Sequence, residues 1–121
     1  MTNITIYCVD HREKAAFAFE VVINSAKRIS YLKQLIKETR PEIYAHVNAI
    51  QLELWKVNIP DNACIQMLNL REDGVNGFEL MLPTRIIDRY FPDEPAEEHI
   101  HVIIECPPGN SLLCFARAWV T

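Results

Sequence analysis

The sequence predicts an α+β domain in which a mixed sheet of four to five strands packs on one main helix. Three observations carry this prediction. Apolar and polar residues alternate through the first two dozen positions, and the spacing then changes to steps of three and four between Ile29 and Ile36. Alternation returns around Leu52 and again from His99 to Cys106. A period of two marks strands and a period near 3.6 marks a helix.

Taken in order, Ile4, Ile6 and Cys8 share one face of a first strand, with Thr5, Tyr7 and Val9 on the other. A polar turn from Asp10 to Lys14 follows, and Phe17, Phe19, Val21 and Ile23 then define one face of a second strand. Two strands joined by a short polar segment make a hairpin. Ile29, Leu32, Leu35 and Ile36 form the apolar stripe of a helix, with Lys33, Gln34, Lys37 and Glu38 on the polar side. Pro41 ends that helix near Arg40, because the residue before a proline avoids helical geometry. No good N-cap precedes it: Ser25 and Ser30 both lack Glu or Gln three positions on.

Ile50, Leu52 and Leu54 mark a third strand that runs through Val57 and Ile59 to Pro60. Its apolar parity switches around Trp55 and Lys56, which predicts a bulge or burial on both faces. A helical turn is expected over Ala63 to Leu70, a polar turn from Arg71 to Gly77, and a short apolar run from Phe78 to Leu82. Thr84 is the expected cap of another helical turn reaching Tyr90, before the proline-bounded loop Phe91 to Pro95. His99 to Cys106 forms the last strand, with Ile100, Val102, Ile104 and Cys106 facing one way. The simplest closed form of this order is the β-grasp of ubiquitin-like domains.

A chain of 121 residues that is 50% hydrophobic and 23% charged has enough apolar material for one core and is not a disordered tail. A net charge of -4 argues against a domain that coats nucleic acid. No apolar run reaches the ~20 residues of a membrane span. Only Gly74, Gly77 and Gly109 are present, too few and too scattered for a glycine-rich phosphate loop. Cys8, Cys64, Cys106 and Cys114 form no CxxC pair and read as reduced thiols in apolar or strand-like settings, with one or two disulfides as the alternative that their even number allows.

Two segments resemble the signatures of a known family. Leu52, Leu54 and the aromatic Trp55 match the start of L-x-L-F-L-A-K, with Lys56 and Val57 standing where that pattern has Leu-Ala. His101, Val102, Ile104 and Pro107 match H-V-x-V-x-x-P with a single Val-to-Ile change. These are signatures of the N-terminal domain of Crinkler-type effectors, and the resemblance spans roughly residues 2 to 108. It implies a ubiquitin-like N-terminal domain over residues 1–107, with 108–121 as a linker or the start of a C-terminal effector domain. It also implies a non-enzymatic role in targeting and protein interaction, with Leu52, Leu54, Trp55 and Lys56 as the interaction and targeting motif. His101, Val102, Ile104 and Pro107 would form a second motif that closes this N-terminal domain. By the same resemblance the protein is secreted or host-directed, with the host nucleus as a destination. Because no signal segment is visible, a cytoplasmic adaptor or dimerisation domain that regulates an attached enzyme is the alternative.

Several constellations bear on chemistry. His99 and His101 lie two apart on a strand and offer half of a tetrahedral metal site, with Glu97, Glu105 or a cysteine as further ligands. Two ordinary strand histidines are the simpler reading, and no metal or cofactor is expected. Cys106 is too far along an extended strand from His101 for a nucleophile–base pair. The acidic loop of Asp93, Glu94, Glu97 and Glu98 stands against a basic side of Lys27, Arg28, Lys33 and Lys37. That contrast allows head-to-tail self-association to a homodimer alongside other protein partners. Trp55 and Trp119 are the large aromatics; Trp55 falls on the outward parity, where it marks a partner surface or is covered by residues 61–70 or by the C-terminal segment.

Overall fold

The computed structural model describes residues 3–65, 70 and 78–106. Its strands are β1 (Asn3–Asp10), β2 (Phe19–Asn24), β3 (Glu53–Pro60), β4 (Glu79–Leu80) and β5 (His99–Glu105). The main helix is α1 (Ile29–Thr39), joined by two single-turn helices, α2 (Pro41–Tyr44) and α3 (Ile87–Tyr90). The strands form one sheet in the order β2-β1-β5-β3-β4. Among the described strands only β1 and β5 pair in parallel. A hairpin, a crossing helix and a return to the strand beside the first make the β-grasp arrangement, and the α+β expectation holds. Among the described residues no helix is long and apolar enough to cross a membrane.

Both faces of the sheet carry buried clusters. On one face Ile29, Leu32 and Ile36 of α1 meet Ile6, Cys8, Val21, Ile23, Leu54, Val102 and Ile104. On the other, Val9, Trp55, Val57, Ile100 and Ile103 meet Ile65, Leu70 and Phe78. A strand buried on both faces has no polar alternate positions, which is why the parity of β3 switches at Trp55. The register shift predicted there is also present. Lys56 pairs with Val102 and Ile59 with Ile100, so three steps on β3 face two on β5.

Several expectations are corrected. Phe17 lies in a 3-10 turn, Ala15–Phe17, and is 56% exposed. It would have had to pair opposite Asp10, but the Asp10 carbonyl accepts the Glu13 N–H and has already turned the chain. Ile50 likewise falls in a 3-10 turn, Ala49–Gln51, and is exposed. Lys33 is buried although it sits on the polar side of the helical pattern; burial pushes its ammonium pKa down, opposed by the Glu53 carboxylate. The start of α3 is set at Ile86 rather than Thr84. The turn expected at 71–77 and most of the helical turn expected over 63–70 lie outside the described residues.

The missing N-cap of α1 has a tertiary explanation. The Ile29 N–H donates to the Arg85 carbonyl at 2.8 Å and the Ser30 N–H to the Pro83 carbonyl at 3.1 Å. In return the Ile87 and Asp88 N–H groups of α3 donate to the carbonyls of Lys27 and Ser25, at 2.7 and 2.9 Å. The two helix starts therefore satisfy each other's segments, and no capping side chain is required. Arg28 adds a donor to the Thr84 carbonyl at 2.7 Å.

Candidate functional site

The first signature segment lies on β3 in the middle of the double-sided core. Leu52 and Leu54 are fully buried on the α1 side, and Trp55 is 4% exposed on the opposite side. Trp55 stands between Leu80 of β4 and Ile103 of β5, and Ile65 and Leu70 share its cluster. The expected partner surface at Trp55 is therefore covered, with Ile65, Leu70 and Phe78 packed in the same cluster. Lys56 is half-buried and reaches over the Phe91 ring, its Nζ 5.7 Å from the ring centre. Of the four residues, only Lys56 carries its functional group near solvent.

The second signature segment is organised by His101, which is 3% exposed. Its Nδ1 accepts the backbone N–H of Tyr7 on β1 at 3.0 Å, and its Nε2 lies 2.7 Å from the carbonyl oxygen of Ala96. A nitrogen that accepts an N–H carries no proton, so the ring is neutral with its hydrogen on Nε2, donating to Ala96. Burial lowers the His101 pKa, and neighbouring His99 lowers it further against the opposing bond to Ala96. The β1–β5 ladder runs from Cys8↔Val102 to Asp10↔Ile104, so the imidazole extends it one step before its first pair. The strand changes face at this point. Ile100 packs in one cluster while Val102 and Ile104 pack in the other, which corrects the expectation that all three face one way. Pro107 lies outside the described residues.

His99 does not join His101. Its Nδ1 lies 2.9 Å from the Glu97 carbonyl, so the two rings engage different positions of the preceding loop. Among the described residues no group of three His, Cys, Asp or Glu side chains is placed to hold a metal ion. Of the basic side expected along α1 and its approach, Lys33 is buried, whereas Arg28 and Lys27 stay exposed, the first bonded to the Thr84 carbonyl and the second 4.8 Å over the Tyr31 ring.

A polar cluster closes the far end of β1. Asp10 is 1% exposed and accepts Arg12 Nε at 2.8 Å, Arg12 Nη2 at 2.9 Å and the Tyr44 hydroxyl at 2.7 Å. Burial and the Asp10 carboxylate together push the Tyr44 hydroxyl pKa upward. Nearby, His11 faces Glu105 at 3.7 Å, and Arg40 lies between Glu13 and Glu42 while stacking over Phe19. Burial raises the Glu13 pKa, partly offset by Arg40. The buried thiol of Cys8 is likewise raised by desolvation, which leaves it inert. These groups engage one another, and the cluster's chemistry is that of a clamp joining β1 to α2.

Residues 4–105 match the family model described as the Crinkler effector protein N-terminal domain. The chain belongs to the Crinkler family. It is also 38% identical over 109 residues to Crinkler effector protein 1 of Rhizophagus irregularis, covering 90% of this chain. The match covers 23% of that relative, so the chain spans about a quarter of its length.

In this Crinkler domain the polar residues with the deepest structural roles escape a reading of sequence pattern. Asp10 and Tyr44 sit in segments that read as an ordinary polar turn and a post-proline stretch. The one signal for Asp10 is the Asp-x-Arg spacing, which lets a guanidinium reach back to the carboxylate.

Proposed function

We propose that this Crinkler domain is the non-enzymatic targeting and recognition module of a host-directed effector, secreted and carried toward the host nucleus with its attached domain. One observation supports recognition over catalysis: the sheet face away from α1 is only half covered. Ile65, Leu70 and Phe78 pack over β3 and β5, whereas Tyr7 on β1 and Val22 on β2 remain 38% and 55% exposed on the same face. A cleft of about 590 Å³ adjoins Tyr7 and is lined by Ala18 and Ile100, with Asp61, Glu97 and Glu98 at its exposed margin. An apolar floor with carboxylates around it suits an extended partner segment carrying Lys or Arg.

In this reading the signature residues Leu52, Leu54 and Trp55 act by holding β3, and His101, Val102 and Ile104 by holding β5. Lys56 and the open half-sheet meet the partner. The test is a reporter protein fused behind residues 1–121 and followed from producing cell to host cell. The reporter is expected to reach the host nucleus, and an Asp61→Lys, Glu97→Lys variant that melts like the parent is expected to lose that delivery. An identical distribution with and without the domain overturns the proposal.

A further inference from the structure

We propose that the chain forms a two-fold dimer by pairing β2 with β2 of a second copy, which would extend the sheet across both molecules. β2 is an outer strand, and among the described residues it pairs on one side only, with β1. Edge strands in soluble proteins are commonly blunted by lysine, proline, a bulge or shortness. β2 has none of these: its six residues are Phe-Glu-Val-Val-Ile-Asn, and they run through six consecutive pairs with β1 without a register shift. The other outer strand, β4, has only two residues. Among the described residues the long edge is therefore left open, while the short one is not a template.

The strand is complementary to itself under a two-fold axis at Val22. Antiparallel pairing about that residue sets Val22 against Val22 of the second copy, on the open face beside Tyr7. It sets Val21 against Ile23 and Glu20 against Asn24. No like charges then stand directly opposite, which would be unfavourable in a sheet. Centring the pair at Val21 instead sets Val21 against Val21 on the α1 side and Glu20 against Val22, which loses the exposed valine pair on the open face. The register in which β2 matches itself selects a second copy as the occupant. A six-residue ladder lies at the small end of interface size, which makes the association a weak one.

Sedimentation of the full 121-residue chain over a concentration series tests the dimer. The native chain is expected to pass from monomer to dimer. Val22→Lys and Val22→Glu, both at an exposed position, are each expected to weaken dimerisation about tenfold while leaving the melting temperature unchanged. An equimolar mixture of the two variants is expected to restore association to within about threefold of the native chain, because residue 22 faces residue 22. A native chain that stays monomeric up to several hundred micromolar overturns the proposal, even if its edge accepts a foreign peptide. So does a native dimer that Val22→Lys leaves intact, or a mixture that associates no better than either variant alone.

Discussion

His101 on β5 accepts the backbone N–H of Tyr7 on β1, so a side chain takes the place of a strand carbonyl. The other ring nitrogen fixes Ala96 in the loop that leads into β5. One buried imidazole thereby joins the two parallel strands and seats the loop that borders the acidic cleft.

Replacing His101 by alanine leaves the Tyr7 N–H and the Ala96 carbonyl without their partner and opens a cavity. The expected cost is about 2–4 kcal/mol, read from urea denaturation. His101→Asn, whose amide oxygen can stand near the position of Nδ1, is expected to recover part of the loss. A cost below about 1 kcal/mol for alanine would remove His101 from its structural role.

The same residue gives stability a pH dependence of defined sign. The folded-state pKa lies below the ordinary histidine value, so the unfolded chain takes up the proton first as pH falls. The stability contributed by neutral His101 is fully present above pH ~6.5 and is lost as pH drops below that value toward the folded pKa. Melting temperature is expected to fall between about pH 7 and 5, with a shallower fall in His101→Asn. Parallel pH profiles for the two proteins would contradict this.

Asp10 and Tyr44 form the second buried polar link. Tyr44→Phe removes a charge-assisted hydrogen bond and is expected to cost about 1.5–3 kcal/mol. Asp10→Ala strands the Tyr44 hydroxyl inside the core and is expected to cost more, about 3 kcal/mol or above. A double-mutant cycle is expected to give a coupling of at least about 1 kcal/mol. Additive losses would show that the 2.7 Å contact contributes nothing specific.

The first signature segment separates packing from surface. Leu54→Ala is expected to cost about 3–4 kcal/mol and Trp55→Ala a similar amount, since each empties a buried site. Lys56→Ala is expected to change stability by less than about 1 kcal/mol. Comparable losses at all three positions would contradict the division.

Much of the β-grasp is legible in the sequence because periodicity reports which faces are buried. Alternation at Ile4, Ile6 and Cys8 and helical spacing at Ile29, Leu32 and Ile36 suffice for the hairpin and the helix. The parity switch at Trp55 reports burial on both faces of β3, Leu54 packing in one cluster and Trp55 and Val57 in the other, and the register shift between Lys56 and Ile59 follows it. Lys33 is misread because periodicity places its Cα on the polar side, while its burial is tertiary and the carboxylate that answers its charge is Glu53 of β3, far away in sequence. The mutual capping of α1 and α3 is invisible for the same reason: the acceptors are backbone carbonyls, which every residue carries. His101 is legible as a family position, but its role depends on Tyr7, ninety-four residues away.

The most direct measurement is the protonation state of His101 by nitrogen-15 NMR of the intact chain. A neutral ring with hydrogen on Nε2 is expected to persist below the ordinary histidine midpoint of about pH 6.5, together with a scalar coupling across the Tyr7 N–H to Nδ1 bond. A ring with hydrogen on Nδ1, or one that titrates freely at the ordinary histidine value, would contradict it.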